Sequence, residues 1–340
     1  MNNEKDLRKN SISGEVALSN GTWVKLICGA SNQDLLSITD LCAVYAAAGV
    51  NCIDVAADIA VVHAAKKGLD WVESHLGIRP WLMVSVSDGK DVHFRKASFN
   101  PSLCPKDCSR PCEKICPANA INQGIIKNRC YGCGRCLPIC PLGIITEEDQ
   151  YLNTKDFGAL ISKARPDAVE IHTAPGRATA FETALKAILE SKVPLNRIAV
   201  SCGLAGHNIN AEALAKELWQ RHKCLRKYQQ RPLWQLDGRP MSGDLGKSSG
   251  KFAISLWEQI RSIAPPGPLQ LAGGTNSQTI HYLSDHRRPE GIAFGGMARK
   301  LIQPFLLEAQ EKNTNLIEWP KGWSQALKKA KELVEPWSYR

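Results

Sequence analysis

Residues 23–67 read WVKLICGASNQDLLSITDLCAVYAAAGVNCIDVAADIAVVHAAKK. A short apolar run at 24–28 leads through a loop into 34–48. There Leu35, Ile38, Thr39, Cys42 and Ala46 recur at helical spacing, and Asp34 is placed to cap the first turn. A second run at 52–55 leads into a second helical stretch at 57–67. Brief, largely apolar runs suit strands covered on both faces. The pattern recurs, with candidate strands at 82–86, 168–172, 198–201, 233–236, 269–272 and 291–294. Further helical stretches lie at 177–191, 211–223, 248–263 and 298–312. Eight strand–helix units in this order predict an α/β fold of the (β/α)8 barrel type, with an open doubly wound sheet as the alternative.

The third unit is interrupted. After 82–86 the chain reads SDGKDVHFRKASFNPSLC and enters a cysteine cluster, resuming with a helix-like stretch at 154–164. The expected organisation is a first barrel part at 16–100, a dicluster ferredoxin-like insert at 101–150, the rest of the barrel at 151–315 and a terminal helix at 316–340. Trp323, Ala326, Leu327, Ala330 and Val334 share one face of that helix, which suits packing on the body. An insert after a barrel strand would stand at the C-terminal face, where barrels keep their active sites.

At 340 residues, 44% apolar and 22% charged, the composition excludes disordered and fibrous classes. No apolar run reaches the roughly 18 residues needed to span a bilayer. The polar start MNNEKDLRKN lacks the apolar stretch of a signal peptide, so a cytoplasmic location is expected. The net charge is +10, partly from Lys216, Arg221, Lys223, Arg226, Lys227 and Arg231. This stretch reads as a solvated helix face or a surface for an acidic partner. No nucleic-acid module accompanies it.

Thirteen cysteines are present, and eight fall between positions 104 and 140. The other five, Cys28, Cys42, Cys52, Cys202 and Cys224, are scattered. In a reducing compartment, clustered cysteines are more often metal ligands than disulfides. The second half of the cluster reads Cys130-x2-Cys133-x2-Cys136-x3-Cys140-Pro141, the bacterial ferredoxin spacing in full. Two-residue gaps let three thiolates converge on one iron–sulfur cubane, and the fourth, set before a proline, reaches its neighbour. Zinc competes, but it needs only four ligands and leaves the final Cys-Pro without a role.

The first half, Cys104-x3-Cys108-x3-Cys112-x3-Cys116-Pro117, departs from the two-residue gaps. Its C-x7-C-x3-C-P pattern resembles seven-iron ferredoxins, in which one cluster has three irons. Two assignments follow. Cys116, Cys130, Cys133 and Cys136 are expected to hold a [4Fe-4S] cluster. Cys104, Cys112 and Cys140 are expected to hold the other, which is [4Fe-4S] if Cys108 also binds and [3Fe-4S] if Cys108 stays a free thiol. The spacer carries the apolar run AINQGII, suited to a core between clusters. Lys106, Arg110, Lys114, Lys127, Arg129 and Arg135 surround the ligands; they would favour reduced, more anionic clusters and steer an acidic redox partner.

The last two candidate strands end in Gly-rich loops, Gly273-Gly274 and Gly295-Gly296, the second followed by Arg299 and Lys300. Loops at these positions build phosphate sites in barrels, so a phosphate or a flavin such as FMN is one reading and plain tight turns the other. Asp54, Asp58, Ser85, His172, Cys202, Asp237 and Arg239 fall at candidate strand ends, where a barrel would ring them around one pocket. His172 is a candidate acid or base and Cys202 a candidate nucleophile, against the plainer roles of satisfied core groups, caps and turns. No catalytic residue is assigned.

The run at 23–65, the cysteine module CPKDCSRPCEKICP … CYGCGRCLPICPLGII, and the stretches VEIHTAPGR and LQLAGGTNSQTI resemble the light-dependent period (LdpA) family of cyanobacteria across nearly the whole chain. The resemblance implies an iron–sulfur protein that senses cellular redox state and conveys light information to circadian clock input and oscillator proteins. It implies the eight clustered cysteines as ligands and a redox donor such as the quinone pool or a ferredoxin. The competing expectation is an oxidoreductase in which the ferredoxin insert feeds electrons into the barrel mouth. A third is an electron carrier on a scaffold.

Overall fold

The computed structural model describes residues 14–204, 206–239, 246–283 and 288–339; the polar start at 1–10 lies outside them. The barrel strands are β1 (Trp23–Ile27), β2 (Cys52–Ala56), β3 (Trp81–Ser87), β6 (Ala168–His172), β7 (Arg197–Gly203), β8 (Pro232–Asp237), β9 (Leu269–Ala272) and β10 (Gly291–Phe294). All pair in parallel, and β1 pairs with β10 from Trp23↔Gly291 to Leu26↔Phe294. That pairing closes the barrel and excludes the open sheet. Gly291 is needed at the seam, because a Cβ there would lie 2.4 Å from the Trp23 ring.

Strand alternation divides the residues between two environments. Outward-facing Val24, Leu26, Ile53, Val55, Val84, Ile171, Val200 and Leu236 join the helices in the main apolar core. Inward-facing Trp23, Cys52, Met83, Ala168, Ala199 and Leu233 form a small apolar layer at the bottom. Ala17 and Leu18 of α1 (Gly14–Asn20) plug that layer from below. Glu15 of α1 accepts bonds from Arg197 at 2.9 and 2.8 Å. Above the apolar layer, the interior turns polar.

The polar layer is a connected hydrogen-bond chain. The Trp23 indole donates to Gln270 at 2.6 Å, Gln270 to Gln235 at 2.6 Å, and Gln235 to Glu170 at 2.9 Å. The Lys25 ammonium is ion-paired with Glu170 and lies 3.7 Å from Asp54. Lys25 and Glu170 are wholly buried. Burial alone would strip Lys25 of its proton, but Glu170 and Asp54 hold it charged, with its pKa raised.

The helices are α2 (Leu35–Ala47), α3 (Ile59–Leu76), α6 (Phe157–Ala164), α7 (Ala178–Leu189), α8 (Ala211–Lys227), α9 (Gly250–Ile260), α10 (Gly296–Glu311) and α11 (Pro320–Ser338). Helix α3 runs past the expected end at 67 to a left-handed Gly77 cap. Gly68 therefore sits mid-helix, and it does so for packing: a Cβ there would be 2.3 Å from the Thr39 carbonyl of α2. In α11, Ala326, Ala330, Leu333, Val334 and Trp337 are buried against the body, and Trp323 meets Trp71 edge-on at 4.8 Å.

The chain leaves the barrel after β3. Strands β4 (Arg95–Ser98) and β5 (Thr146–Asp149) pair antiparallel, and between them lie the short helices α4 (Pro111–Ile115) and α5 (Cys136–Ile139). The cysteine segment is thus gripped by a two-stranded ribbon over the C-terminal ends of the barrel strands.

Two substitutions test this packing. Gly68→Ala should cost about 1–3 kcal/mol by forcing α2 and α3 apart, read as a lower urea midpoint with an unchanged slope. Lys25→Met should cost about 3–5 kcal/mol, because it leaves Glu170 and Asp54 buried without their cation. A thermal midpoint equal to wild type in Lys25→Met would contradict that role.

Candidate functional site: the cysteine module and the barrel mouth

The ribbon and its loops sort the eight clustered cysteines into two groups. Cys116, Cys130, Cys133 and Cys136 line one cavity, walled by Ala97, Ile121 and Tyr131. The Ala97 N–H donates to the Cys130 sulfur at 3.4 Å, and the Ala120 N–H to the Cys116 sulfur at 3.2 Å. Gly132 and Gly134, between the cysteines, both have positive φ, 74° and 73°. A Cβ on Gly132 would lie 2.1 Å from the Arg95 carbonyl, so the ribbon backbone can approach only a glycine. In the second group, Cys108 and Cys112 act electrostatically on Cys104, and Cys140 acts on Cys112. Cys104 and Cys112 also border a wider cavity with Phe99, Lys106 and Arg110. Each group draws a cysteine from the far half of the motif.

The donor set calls for cations. Burial, then the neighbouring Cys133, Cys130 and Cys116, pushes the Cys136 thiol up to about 12. Cys116 and Cys133 are raised as well, chiefly by burial. Thiols raised in this way ionise only when metal charge compensates them. Among the described residues no three cysteine sulfurs lie within 4.8 Å of one another. A single tetrahedral ion with bonds of about 2.3 Å would draw them to about 3.8 Å. The wider spacing suits a polynuclear cluster.

Below the module, the barrel mouth holds a cavity. One side carries Asp54, Glu170, His172, Gln235, Asp237 and His93; the other carries Gly273, Gly274, Gly295, Gly296, Arg239 and Arg299, and Tyr131 of the module lines the same space. The Arg299 guanidinium stacks 4.8 Å from the Tyr131 ring and donates to the Cys28 carbonyl at 2.6 Å. The Tyr131 hydroxyl is buried and has no hydrogen-bond partner among the described residues.

The charges on the acidic side are tightly organised. Burial opposes ionisation of Glu170, but Lys25 and His172 hold its pKa down. His172 Nε2 lies 3.0 Å from Glu170 Oε1. Burial would lower the His172 pKa, yet the bond to Glu170 and the charge of Asp91 raise it to about 9. Asp54 and Asp237 are both raised, chiefly by burial.

Of the strand-end candidates, the structure brings Asp54, His172, Asp237 and Arg239 together at the mouth. Ser85 lies deeper and donates to Asp54 at 2.6 Å. Asp58 caps α3 through Ala60 N–H at 2.8 Å. Cys202 faces outward into the helical layer, with its thiol pushed up to about 12 by burial, so it is no nucleophile of this cavity. Gly273 and Gly274 have φ of 69° and 88° and serve the turn itself. Gly296 differs: a Cβ there would meet only the Arg135 guanidinium at 3.9 Å. Arg299 is buried at the mouth, whereas Lys300 is exposed. Arg221, counted above with a basic surface, is buried and donates to the Ala174 carbonyl at 2.8 Å.

Lys25, Glu170, Asp91, His93 and Tyr131 were not singled out from the sequence. A charged residue at an inward position of an apolar strand, as in Trp23–Ile27 and Ala168–His172, was the available signal for the first two.

Residues 104–151 match the LdpA Fe-S cluster-binding domain, and residues 160–336 match the Light dependent period A C-terminal domain. Light dependent period A of Synechococcus elongatus is 41% identical over 330 residues, spanning 94% of this chain and 92% of that protein. An uncharacterized ferredoxin of Methanocaldococcus jannaschii is 31% identical over 90 residues, or 24% of this chain and 60% of its own. A rubisco-like protein from Alicyclobacillus acidocaldarius aligns with a TM-score of 0.42 at 12% identity, covering 96% of this chain and 74% of that one. The chain belongs to the light dependent period A family and carries that family's iron–sulfur cluster-binding domain.

Proposed function

We propose that this chain is a redox sensor, holding two iron–sulfur clusters whose charge is read at the barrel mouth and relayed to circadian clock input and oscillator proteins. Cys116, Cys130, Cys133 and Cys136 fit a [4Fe-4S] cluster, since they share one cavity. Cys104, Cys112 and Cys140 fit the second. Cys108 beside Cys104 favours a fourth ligand there, and so a second [4Fe-4S] over a [3Fe-4S] cluster. When bound, each cluster supplies reversible one-electron chemistry.

The protein's own groups set the response. The Ala97 and Ala120 N–H groups stabilise the thiolates, and the exposed Lys106 and Lys114 favour the more anionic reduced state. The same lysines suit an acidic donor such as a ferredoxin; the quinone pool is the other candidate donor. The observation that carries the reading is Tyr131. It walls the cysteine cavity on one side and the barrel mouth on the other, with Arg299 stacked on it. A charge gained in the module is therefore felt at the mouth through one buried ring, where screening is weak.

A second reading, an oxidoreductase with a phosphate-bearing ligand or FMN in the mouth, draws on two observations. The Tyr131 hydroxyl is left unpaired among the described residues, and Gly296 leaves open space at the start of α10. The sensor needs no turnover.

An anaerobic redox titration followed by electron paramagnetic resonance tests both readings. The expected result is a diamagnetic oxidised protein, two four-iron signals on reduction and no flavin semiquinone. A semiquinone would move the function to the enzyme. Cys108→Ser should convert the second cluster to a three-iron form, paramagnetic when oxidised. A three-iron signal already present in freshly isolated wild type would remove Cys108 from the ligands.

A further inference from the structure

The geometry points to a mononuclear divalent-metal site at the rim of the barrel mouth, formed by Asp91, His93 and His172. The loop after β3 supplies Asp91 and His93, and the C-terminal end of β6 supplies His172. Their donor atoms all lie within 4.8 Å of one another. Asp91 Oδ1 is 2.6 Å from His93 Nδ1 and 3.9 Å from His172 Nδ1.

The surroundings of His172 carry the argument beyond proximity. Its Nε2 is held 3.0 Å from Glu170 Oε1, and Glu170 is anchored by Lys25. Fixing one ring nitrogen on a carboxylate leaves Nδ1 facing Asp91, where a bound metal takes the place of the Nδ1 proton, which is released to solvent; metal-ligating histidines are oriented in this way. Phe94 meets the His172 ring edge-on at 5.1 Å and limits its rotation. Four carboxylates, those of Asp54, Asp91, Glu170 and Asp237, converge on this end, and Lys25 answers Asp54 and Glu170 from below. Arg239 and Arg299 stack instead on Phe252 and Tyr131.

Two imidazoles and one carboxylate suit a borderline transition metal such as Zn²⁺ or Fe²⁺ rather than Ca²⁺ or Mg²⁺, which prefer all-oxygen cages; Mn²⁺ binds such a set more weakly and serves as a probe. Three protein ligands leave coordination positions open. His93 and His172 both line the mouth cavity, so an oxygen-bearing small molecule could complete the shell there. The cluster cysteines take no part, and the site stands whether or not the chain is a sensor.

The test uses the full chain with its clusters in place, titrated under argon with Mn²⁺. Free Mn²⁺ is read by room-temperature electron paramagnetic resonance, with Zn²⁺ as competitor. The expected result is about one bound Mn²⁺, displaced by Zn²⁺, and affinity more than about tenfold weaker in both His93→Ala and Asp91→Asn. Unchanged cluster absorbance confirms that each variant is folded. Wild type without saturable binding, or both variants binding as wild type does, would overturn the site and leave only a hydrogen-bonded ion network.

Discussion

The Lys25–Glu170 ion pair, buried where most barrels of this size pack aliphatic side chains, is the interaction on which the rest of the interior depends. Two charges without water need each other and a full complement of hydrogen bonds. Glu170 obtains them from Lys25, Gln235 and His172, and Gln235 passes the requirement on to Gln270 and Trp23. The chain therefore links strands β1, β6, β8 and β9 across the barrel. It also fixes the ring of His172, which stands at the top of β6 and faces the mouth. The polar layer costs stability compared with an apolar filling, and it holds ionisable groups at the end of the barrel where this fold class keeps its active sites.

Above that layer, the cysteine module is joined to the barrel by close contacts rather than by a linker. The ribbon of β4 and β5 sets its base. Gly132 lets the Arg95 carbonyl approach, and Tyr131, its neighbour, reaches down to Arg299. Gln33 N–H donates to the Asn128 carbonyl at 3.1 Å, and Arg129 to Gln310 at 3.3 Å, so α10 and the loop before α2 hold the module from below. Cluster cavity and barrel mouth thus share a wall. This arrangement suits a protein in which electronic charge above and ligand or metal charge below influence each other.

Much of this was legible in the chain. Each barrel strand was found within about two residues of its apolar run, because both faces of such strands are covered and apolar residues on the helix side dominate the pattern. The cysteine spacing named the chemistry, because cluster geometry constrains separation along the chain directly. The Gly-rich loops were placed at the mouth, but only the structure separated Gly273 and Gly274, which serve the turn, from Gly296, which leaves space. Helix α1 went unread; it is a single short plug whose need arises only once the barrel bottom exists.

The sequence by itself determined the order of strands and helices, the site of the insertion and its iron–sulfur character, all properties of local pattern and spacing. It could not show that Cys202 faces the helices while Asp54 and His172 face the axis, since the direction of a side chain depends on where each strand enters the barrel. Nor could it show that Asp91 and His93 meet His172, or that Lys25 meets Glu170. Those partners lie far apart in the chain, and only barrel closure and the return of the insert over the mouth bring them together. The tertiary structure decided these contacts because burying charge is tolerable only where the fold delivers its counter-charge.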